Sequence, residues 1–292
     1  IRRATYGEGK TGAPAVVAHR PARNGRPQIL LYAHHDVQPP GDANEWKTPE
    51  FEPTLVDGRI YGRGAADDKA GVMAHITAIE TLVDLAGPDF ELGLSVFVEG
   101  EEEAGSPSFR NFLNANQDIL KADVIVVADS ANWTTTIPAL TTTLRGLVSQ
   151  EIEVATLDHA VHSGMYGGPI PDAMTAMIKL LATLHDDKGN VAVRGLVQGT
   201  AASLDYDEAA LRVDSGLLDG VQLIGEGSIL DRMWTKPAIA VIGIDGMSVA
   251  TSSNTLLPSV KAKISMRISP GQEPMDALTL LKAHLKENTP FG

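Results

Sequence analysis

Three clusters of histidine and acidic residues follow apolar segments of the sequence and could bind cations. The first is His34-His35-Asp36, at the end of the apolar run 28–37. Since residues i and i+2 of a strand share one side, His34 and Asp36 can face one cavity while His35 faces away. A metal-bound histidine usually donates its second ring N–H to a carboxylate or carbonyl group, and Asp36 is placed to accept it. Alone, the pattern is more often a surface turn.

The second cluster is the glycine loop GRGAADDK at 62–69. A dinucleotide-binding G-x-G-x-x-G fingerprint needs glycine at position 67, where Asp67 stands and would repel a phosphate. A carboxylate in a tight glycine loop is suited instead to bridging two cations. Asp67 or Asp68 could also simply cap the helix that follows, and these residues alone favour the cap.

The third cluster, Glu99 to Glu103, carries four carboxylates directly after an apolar strand. Such crowding is electrostatically costly unless cations compensate it. One glutamate can bind a metal while its neighbour stays free as a general base. A solvated acidic loop is the common alternative, but the position after a core strand favours function. Asp129, at the end of a further apolar strand, is either another ligand or a turn residue.

The elements that position these clusters are indicated by apolar periodicity. Buried strands are predicted at 28–37, 92–98 and 122–129, and helices at 69–86 and 107–116. This order predicts an α/β layered domain with a mostly parallel sheet. Ligands of such sheets bind at the carboxyl ends of the strands, which is where the clusters fall.

The pattern changes after Arg145-Gly146, where alternating strands replace continuously apolar ones. The elements predicted in this part are two strands and two helices: 147–155, 258–268, 171–185 and 273–287. Each of these strands has one face exposed to solvent, which indicates a smaller α+β domain built as a two-layer sandwich. We therefore predict a metal-binding domain at 1–145 and a second domain at 146–292. His162 in this second domain could donate to a developing oxyanion, although a lone histidine is more often structural.

Composition narrows the chemistry further. The 292 residues include no cysteine, which excludes thiolate metal sites and cysteine nucleophiles. A metal site must then use His, Asp and Glu, which favours zinc, manganese or cobalt. The net charge of −13 repels phosphate backbones, so nucleic acid is not an expected partner. No apolar run reaches membrane-spanning length, and a cytoplasmic location fits the absence of cysteine.

Taken together, six motifs resemble the M20 metallopeptidase family, which includes carnosinases, carboxypeptidase G2-type enzymes, aminoacylases and succinyl-diaminopimelate desuccinylase. They occur in the family order and cover nearly the whole chain. The motifs are YAHHDVQP at 32–39, YGRGAADDKAG at 61–71, EGEEEAGS at 99–106, VVADSANW at 126–133, LRG at 144–146 and HSGMYGG at 162–168. HHDVQP, EGEEEAGS and HSGMYGG are closest to the dipeptidase branch, which implies hydrolysis of a small peptide by a water held between two metal ions.

The resemblance implies a role for each matched residue around two divalent ions, most often zinc, with manganese or cobalt as alternatives. His34 and Asp129 would hold one ion, and Glu103 would hold the other. Asp67 would bridge both ions and would be followed by a cis peptide bond. Glu102 would be the general base, which takes a proton from the water and returns it to the leaving amine.

Further roles implied by the resemblance concern orientation and substrate binding. Asp36 would orient His34. His162 would reach the active site of the other subunit of a homodimer, formed through the second or lid domain, and would stabilise the oxyanion. Arg267 would bind the substrate carboxylate, although a structural ion pair explains it nearly as well. Asn254 would contact substrate, with a turn as its alternative.

The chain departs from the family in one respect, because the family supplies a further metal-binding histidine near its C-terminus. His284 does not fit, since it falls in a predicted helix of the second domain, on its surface. The sequence ends at Pro290-Phe291-Gly292. We therefore expect a fragment with an incomplete second metal site and little or no activity by itself.

Three alternatives to a dipeptidase remain open at this point. An N-acyl amino acid deacylase, such as a desuccinylase, uses the same catalytic residues. A serine hydrolase is suggested only by Gly246-Met247-Ser248-Val249-Ala250, which lacks the final glycine of G-x-S-x-G. A non-enzymatic dimerising protein would explain the missing histidine, but it would have no need of a free base at Glu102.

Overall fold

The computed structural model describes residues 1–201 and 204–292. It divides into two compact units, Ile1–Leu140 and Thr141–Gly292. The division falls shortly before Arg145, where the sequence changes from apolar to alternating strands. Among the residues that the structure describes, no helix has both the length and the apolar composition needed to cross a lipid bilayer.

The first unit contains eight strands and three helices. The strands are β1 (Thr5–Tyr6), β2 (Lys10–Thr11), β3 (Val16–Arg20), β4 (Gln28–His34), β5 (Thr54–Val56), β6 (Arg59–Tyr61), β7 (Gly93–Glu99) and β8 (Val124–Val127). The helices are α1 (Lys69–Ala86), α2 (Phe109–Ala115) and α3 (Gln117–Leu120). Two small hairpins, β1–β2 and β5–β6, accompany one larger sheet.

The larger sheet has the order β3-β7-β4-β8, and β7, β4 and β8 run parallel while β3 is antiparallel. Its register pairs His34 with Glu99 at the carboxyl ends of β4 and β7. One face packs on α2 and α3 through a cluster that includes Leu30, Phe97 and Phe112. The predicted α/β class with a mostly parallel sheet is confirmed.

The prediction of a third buried strand at 122–129 is wrong about burial. β8 is confined to Val124–Val127, and the exposed fractions of its four side chains lie between 42% and 61%. β8 is one of the two edge strands of the sheet, and α1 packs on its neighbour β4. An apolar composition predicts a strand that is suited to burial. Whether the strand is buried depends on which other elements pack over its two faces.

Helix α1 has the bounds that its apolar spacing predicts. Asp68 caps its N-terminus by accepting a hydrogen bond from the Gly71 N–H, and Gly87 follows its last turn with φ of 79°. A Cβ at Gly71 would lie 2.0 Å from the carbonyl oxygen of Ala128. Glycine is therefore required where the first turn of α1 approaches the chain just before Asp129.

Within its described residues, the second unit contains five strands and four α-helices. The strands are β9 (Gly146–Ala155), β10 (Val161–His162), β11 (Ala238–Ile244), β12 (Thr255–Leu256) and β13 (Ser259–Ile268). The helices are α4 (Ser163–Tyr166), α5 (Ala173–Ala182), α6 (Glu208–Ser215) and α7 (Pro274–Glu287). β11, β13 and β9 form an antiparallel sheet in that order, and β10 pairs with β12.

The core of the second unit lies between this sheet and the helices α5 and α7. β13 alternates between exposed and buried side chains, and Ile264, Met266 and Ile268 turn inward. They pack with Leu180 from α5 and Leu281 from α7. The alternation therefore produces the predicted two-layer α+β arrangement, with one face of the sheet covered by helices.

Candidate metal centre

His34 is fully buried at the end of β4, and its ring is oriented by the residue two positions later. Its Nδ1 atom lies 3.1 Å from the backbone carbonyl oxygen of Asp36 and 3.5 Å from the Asp36 Oδ1 atom. A carbonyl oxygen can only accept, so Nδ1 carries the proton and Nε2 presents its lone pair. The orienting contact thus comes mainly from the backbone carbonyl of Asp36, one of the two kinds of acceptor that the sequence left open.

The free Nε2 atom of His34 faces two carboxylates. It lies 2.9 Å from Oδ1 of Asp67 and 3.9 Å from Oδ2 of Asp129. Despite the short contact with Asp67, this nitrogen is buried without a hydrogen-bond partner among the described residues. A lone pair facing carboxylate oxygens requires a proton or a cation between them, so the donor set fits a metal ion.

Asp67 and Asp68 make different contacts, although both are aspartates. Asp68 also lies close to the cluster, since His34, Asp68 and Asp129 offer ligand atoms within 4.8 Å of one another. Both of its carboxylate oxygens are already occupied, however, by the N–H groups of His34 and Gly71, each at 3.1 Å. Asp68 is therefore the helix cap, and Asp67, whose side chain is 65% exposed, is the better ligand candidate. The bond between the two residues is cis, as the family resemblance implied.

The acidic loop after β7 is held against His34-Asp36 by hydrogen bonds to its backbone. The carboxylate of Asp36 accepts from the N–H of Glu102 at 3.1 Å and from the N–H of Glu103 at 2.9 Å. Gln38, a residue that sequence reasoning missed, donates to Oε2 of Glu103 at 2.7 Å. Asp36 and Gln38 therefore position Glu102 and Glu103 beside His34. The VQP sequence at 37–39, which belongs to one of the family motifs, was the signal that could have indicated Gln38.

The carboxylates of this cluster destabilise one another's ionised forms. Burial raises the pKa of Glu102, and Asp129, Glu103 and Glu99 raise it further against the opposing effect of His34. Burial also raises the pKa of Asp129. For His34, burial lowers the pKa, but the Asp36 carbonyl and the surrounding carboxylates outweigh it and the net shift is upward. The site therefore attracts positive charge.

A hydrogen-bonded pair of the half-buried Tyr32 and the buried Glu99 was not predicted from the sequence. The hydroxyl of Tyr32 donates to Oε2 of Glu99 at 2.6 Å, and Oε1 of Glu99 is buried without a hydrogen-bond partner among the described residues. Burial, followed by the hydrogen bond and charge of Glu99, raises the pKa of Tyr32. The pair places negative charge behind Glu102, which contributes to the raised pKa of that residue.

Within the second unit, two predicted substrate-contacting residues lie together. β10 pairs with β12 so that His162 is opposite Thr255, and the Ser163 N–H donates to the carbonyl oxygen of Asn254 at 2.9 Å. His162 is exposed, and its Nδ1 atom accepts from the Gly164 N–H at 3.0 Å, which caps α4. Nε2 of His162 remains available to a ligand.

Arg267 is exposed on β13, where it pairs in register with Leu147 and Ala238. A second arginine lies near it, because burial and then the charge of Arg267 lower the pKa of Arg145. Arg145 donates to the carbonyl oxygens of Arg232 and Lys236, each at 3.4 Å. Sequence reasoning noted LRG as a motif and assigned no role to its arginine.

Two other sequence-based interpretations change in the structure. His284 lies on α7 as predicted, but it is half-buried rather than on the helix surface, because Nε2 contacts the hydroxyl and carbonyl oxygens of Thr183 at 3.1 and 3.0 Å. Ser248 caps a short turn by accepting from the Ala250 N–H at 3.3 Å. Capping accounts for this serine without a nucleophilic role.

Comparison with known proteins identifies the family and several relatives of this chain. Residues 30–273 match the model of peptidase family M20/M25/M40. The chain is 36% identical over 272 residues to a cysteinylglycine-S-conjugate dipeptidase of Corynebacterium striatum, covering 91% of this chain and 59% of that protein. It is 31% identical over 278 residues to a Beta-Ala-His dipeptidase of Rattus norvegicus, covering 89% of this chain and 55% of that protein. The chain therefore spans little more than half the length of these relatives.

The fold agrees with a solved member of the family. An M20 family metallo-carboxypeptidase of Sulfolobus solfataricus superposes with a TM-score of 0.78 at 26% identity, covering 99% of this chain and 67% of that chain. The matched residues include all three acidic and histidine clusters of the first unit. The chain belongs to peptidase family M20/M25/M40.

Proposed function

We propose that the full-length protein hydrolyses the amide bond of a dipeptide or other small peptide, with Glu102 as the general base beside two divalent cations. The observation that carries the proposal is the Nε2 lone pair of His34 facing Asp67 at 2.9 Å and Asp129 at 3.9 Å. The relatives named as dipeptidases support the substrate class.

The ligand roles are those that the family resemblance implies, and the occupied oxygens of Asp68 favour Asp67 over it. His34 and Asp129 would hold one ion, Glu103 would hold the other, and Asp67, the more exposed of the paired aspartates, would bridge them. The donor set of histidine and carboxylates suits zinc, with manganese and cobalt as alternatives. When bound, such ions supply Lewis acidity for the scissile carbonyl group and lower the pKa of water.

Glu102 is suited to moving a proton. Burial and the neighbouring carboxylates raise its pKa above the ordinary value of a glutamate, which makes its carboxylate a stronger proton acceptor. Asp36 holds the turn through the backbone N–H of Glu102, a contact that does not use the Glu102 carboxylate. It would take the proton of the attacking water and deliver it to the leaving amine.

Substrate contacts would come from the second unit. His162 would donate to the oxyanion from the other subunit of a homodimer, with Asn254 beside it. Arg267 would bind the substrate carboxylate, since a guanidinium matches that group with paired hydrogen bonds. The homodimer, the identity of the metals and a cytoplasmic location stay predictions.

A substrate panel tests this function against the deacylase alternative. The zinc-loaded full-length protein is assayed with Cys-Gly, β-Ala-His, N-acetyl and N-succinyl amino acids. We expect dipeptide turnover with a kcat/KM at least tenfold above that for either N-acyl substrate. Faster hydrolysis of N-acyl substrates would favour the deacylase, and turnover of neither class would contradict the proposal.

A further inference from the structure

Glu101 is the acidic-loop residue to which the proposed chemistry gives no part. It stands directly before Glu102, but its side chain is 6% exposed and turned into the protein. The other three glutamates are accounted for by the base, a metal ligand and the pair with Tyr32. A buried carboxylate is costly unless its oxygens are satisfied, so its partners indicate its purpose.

The carboxylate of Glu101 joins two separate segments of the first unit. Oε1 accepts from both the N–H, at 2.6 Å, and the hydroxyl of Ser108, which stands before α2. Oε2 accepts from the N–H of Ala13 at 2.9 Å. Although burial opposes ionisation, these donors outweigh it and lower the pKa of Glu101. It is a charged buried acceptor with three donors.

The segment at 12–14 is fitted closely against this loop. A Cβ at Gly12 would lie 2.2 Å from Oγ of Ser108 and 2.9 Å from Oε2 of Glu101. The carbonyl oxygen of Pro14 accepts from Nε2 of His35 at 2.8 Å. Glycine is thus required at position 12, and the segment contacts both the acidic loop and the strand end that carries His34.

Glu101 also begins the turn that carries the base and the ligand. Its carbonyl oxygen accepts from the N–H groups of Ala104 at 3.2 Å and Ser106 at 2.8 Å. The Asp36 carboxylate binds the next two N–H groups of the same turn, those of Glu102 and Glu103. The turn is therefore anchored by the side chain of Glu101 at its start and by Asp36 along its backbone.

We infer that Glu101 is a positioning residue, whose contacts with Ala13 and Ser108 fix the orientation of Glu102 and Glu103 toward the metal centre. The inference rests on the proposed function. It differs from a general stabilising role, because loosening the turn should disturb proton transfer and metal binding even where the protein stays folded. Ground-state binding of substrate through the second unit should be unaffected.

The test compares Glu101→Gln with Glu91→Gln in the full-length protein. Both remove one negative charge, but Glu91 is exposed, pairs with Arg26 and precedes the opposite end of β7. In Glu101→Gln, the amide NH2 would oppose an N–H donor of Ala13 or Ser108. We expect kcat to fall about 10- to 100-fold with KM changed less than threefold, and affinity for one metal ion to fall about tenfold or more.

Metal affinity is measured by competition with a chromophoric chelator, and folding by circular dichroism. If Glu101→Gln fails to fold, Ser108→Ala removes one donor only, and we expect it to weaken kcat and metal affinity severalfold. Variants that are folded but less stable, with wild-type kcat and metal affinity, would overturn the inference. A wild-type protein without peptide turnover would instead refute the proposed function, so the two failures are distinguishable.

Discussion

Nε2 of His34 lies 2.9 Å from Oδ1 of Asp67 while Nδ1 of the same ring donates to the Asp36 carbonyl group. Two atoms with lone pairs attract at this distance only when a proton or a cation lies with them. Burial raises the pKa of Glu102 and Asp129, and neighbouring carboxylates raise both further. For His34, the Asp36 carbonyl and the carboxylates outweigh burial and raise the pKa, so the carboxylates around this ring favour positive charge. This relationship is the physical basis of the metal assignment.

Loss of the histidine should therefore remove metal. In His34→Ala, we expect at least one bound ion to be lost and peptide turnover to fall more than about 100-fold, since the ligand cannot be replaced by a neighbour. Elemental analysis of the dialysed protein measures the ions. His159→Ala, at an exposed histidine beside Asp158, is the control and should retain both properties. Full metal content in His34→Ala would refute its assignment as a ligand.

Substitution should distinguish the general base, Glu102, from the metal ligand, Glu103. In Glu102→Gln, we expect kcat to fall about 10²- to 10⁴-fold while both metal ions stay bound, because the amide cannot accept a proton. In Glu103→Gln, by contrast, metal content itself should fall. Steady-state kinetics and elemental analysis of the two variants distinguish the roles. If Glu102→Gln loses metal and Glu103→Gln does not, the two assignments are reversed.

The carboxylate cluster should destabilise the metal-free protein. The folded-state pKa of Glu102 is raised, so folding favours its protonated form, and its unfavourable contribution is present above that pKa and is relieved as pH falls through it. We expect the Tm of the chelator-treated protein to rise on substitution of Glu102 by Gln, with the gain larger at pH 8 than at pH 5. Differential scanning calorimetry measures it. Glu91→Gln, whose pKa is lowered, should give no gain.

Asp36 should affect the second ion more than the first. In Asp36→Asn, its backbone carbonyl still orients His34, but the side chain keeps only one acceptor for the two N–H groups of Glu102 and Glu103. We expect affinity for the ion held by Glu103 to fall about 10- to 100-fold, with the ion at His34 retained. Titration calorimetry of the metal-free protein resolves the two steps. Equal weakening of both would contradict this, because it would show that the Asp36 carboxylate supports the ion at His34 as much as the ion at Glu103.

Glu101 gives a pH dependence of the opposite sign. Its folded-state pKa is lowered from 4.5, so it stabilises the fold above that value and the contribution is lost as pH falls through the lowered pKa. The Tm difference between wild type and Glu101→Gln should be largest near neutral pH and should shrink below about pH 4. Thermal unfolding across this range measures it. A constant difference would show that charge is not what Ala13 and Ser108 recognise.

Local periodicity was sufficient for the elements that carry the site. It predicted the bounds of α1 and placed the ends of β4 and β7 within a few residues. The apolar residues of these elements are spaced as burial in a layered sheet and helix arrangement requires. Periodicity could not tell Asp67 from Asp68, since both suit a cap. Asp68 is the cap because its oxygens accept from the His34 and Gly71 N–H groups. The contact with His34 depends on β4, which is distant in sequence.

Long-range contacts explain the other differences. Four glutamates within five residues indicate a functional loop, but only the positions of Ala13 and Ser108 explain why the Glu101 side chain turns inward. The exposure of β8 and the contact of His284 with Thr183 likewise depend on residues distant in sequence. Residue types therefore indicate the kind of chemistry to expect, while the contacts of each individual residue depend on the tertiary fold.

The number of metal ions bound per chain tests the central claim most directly. The full-length protein is stripped with a chelator, reloaded with zinc or manganese, dialysed and analysed for bound metal. The proposed function, with His34, Asp67, Asp129 and Glu103 as ligands, predicts two ions per chain, with peptide turnover that returns as they bind. No metal retained after reloading with either ion would contradict the claim that these residues form a dinuclear hydrolytic centre.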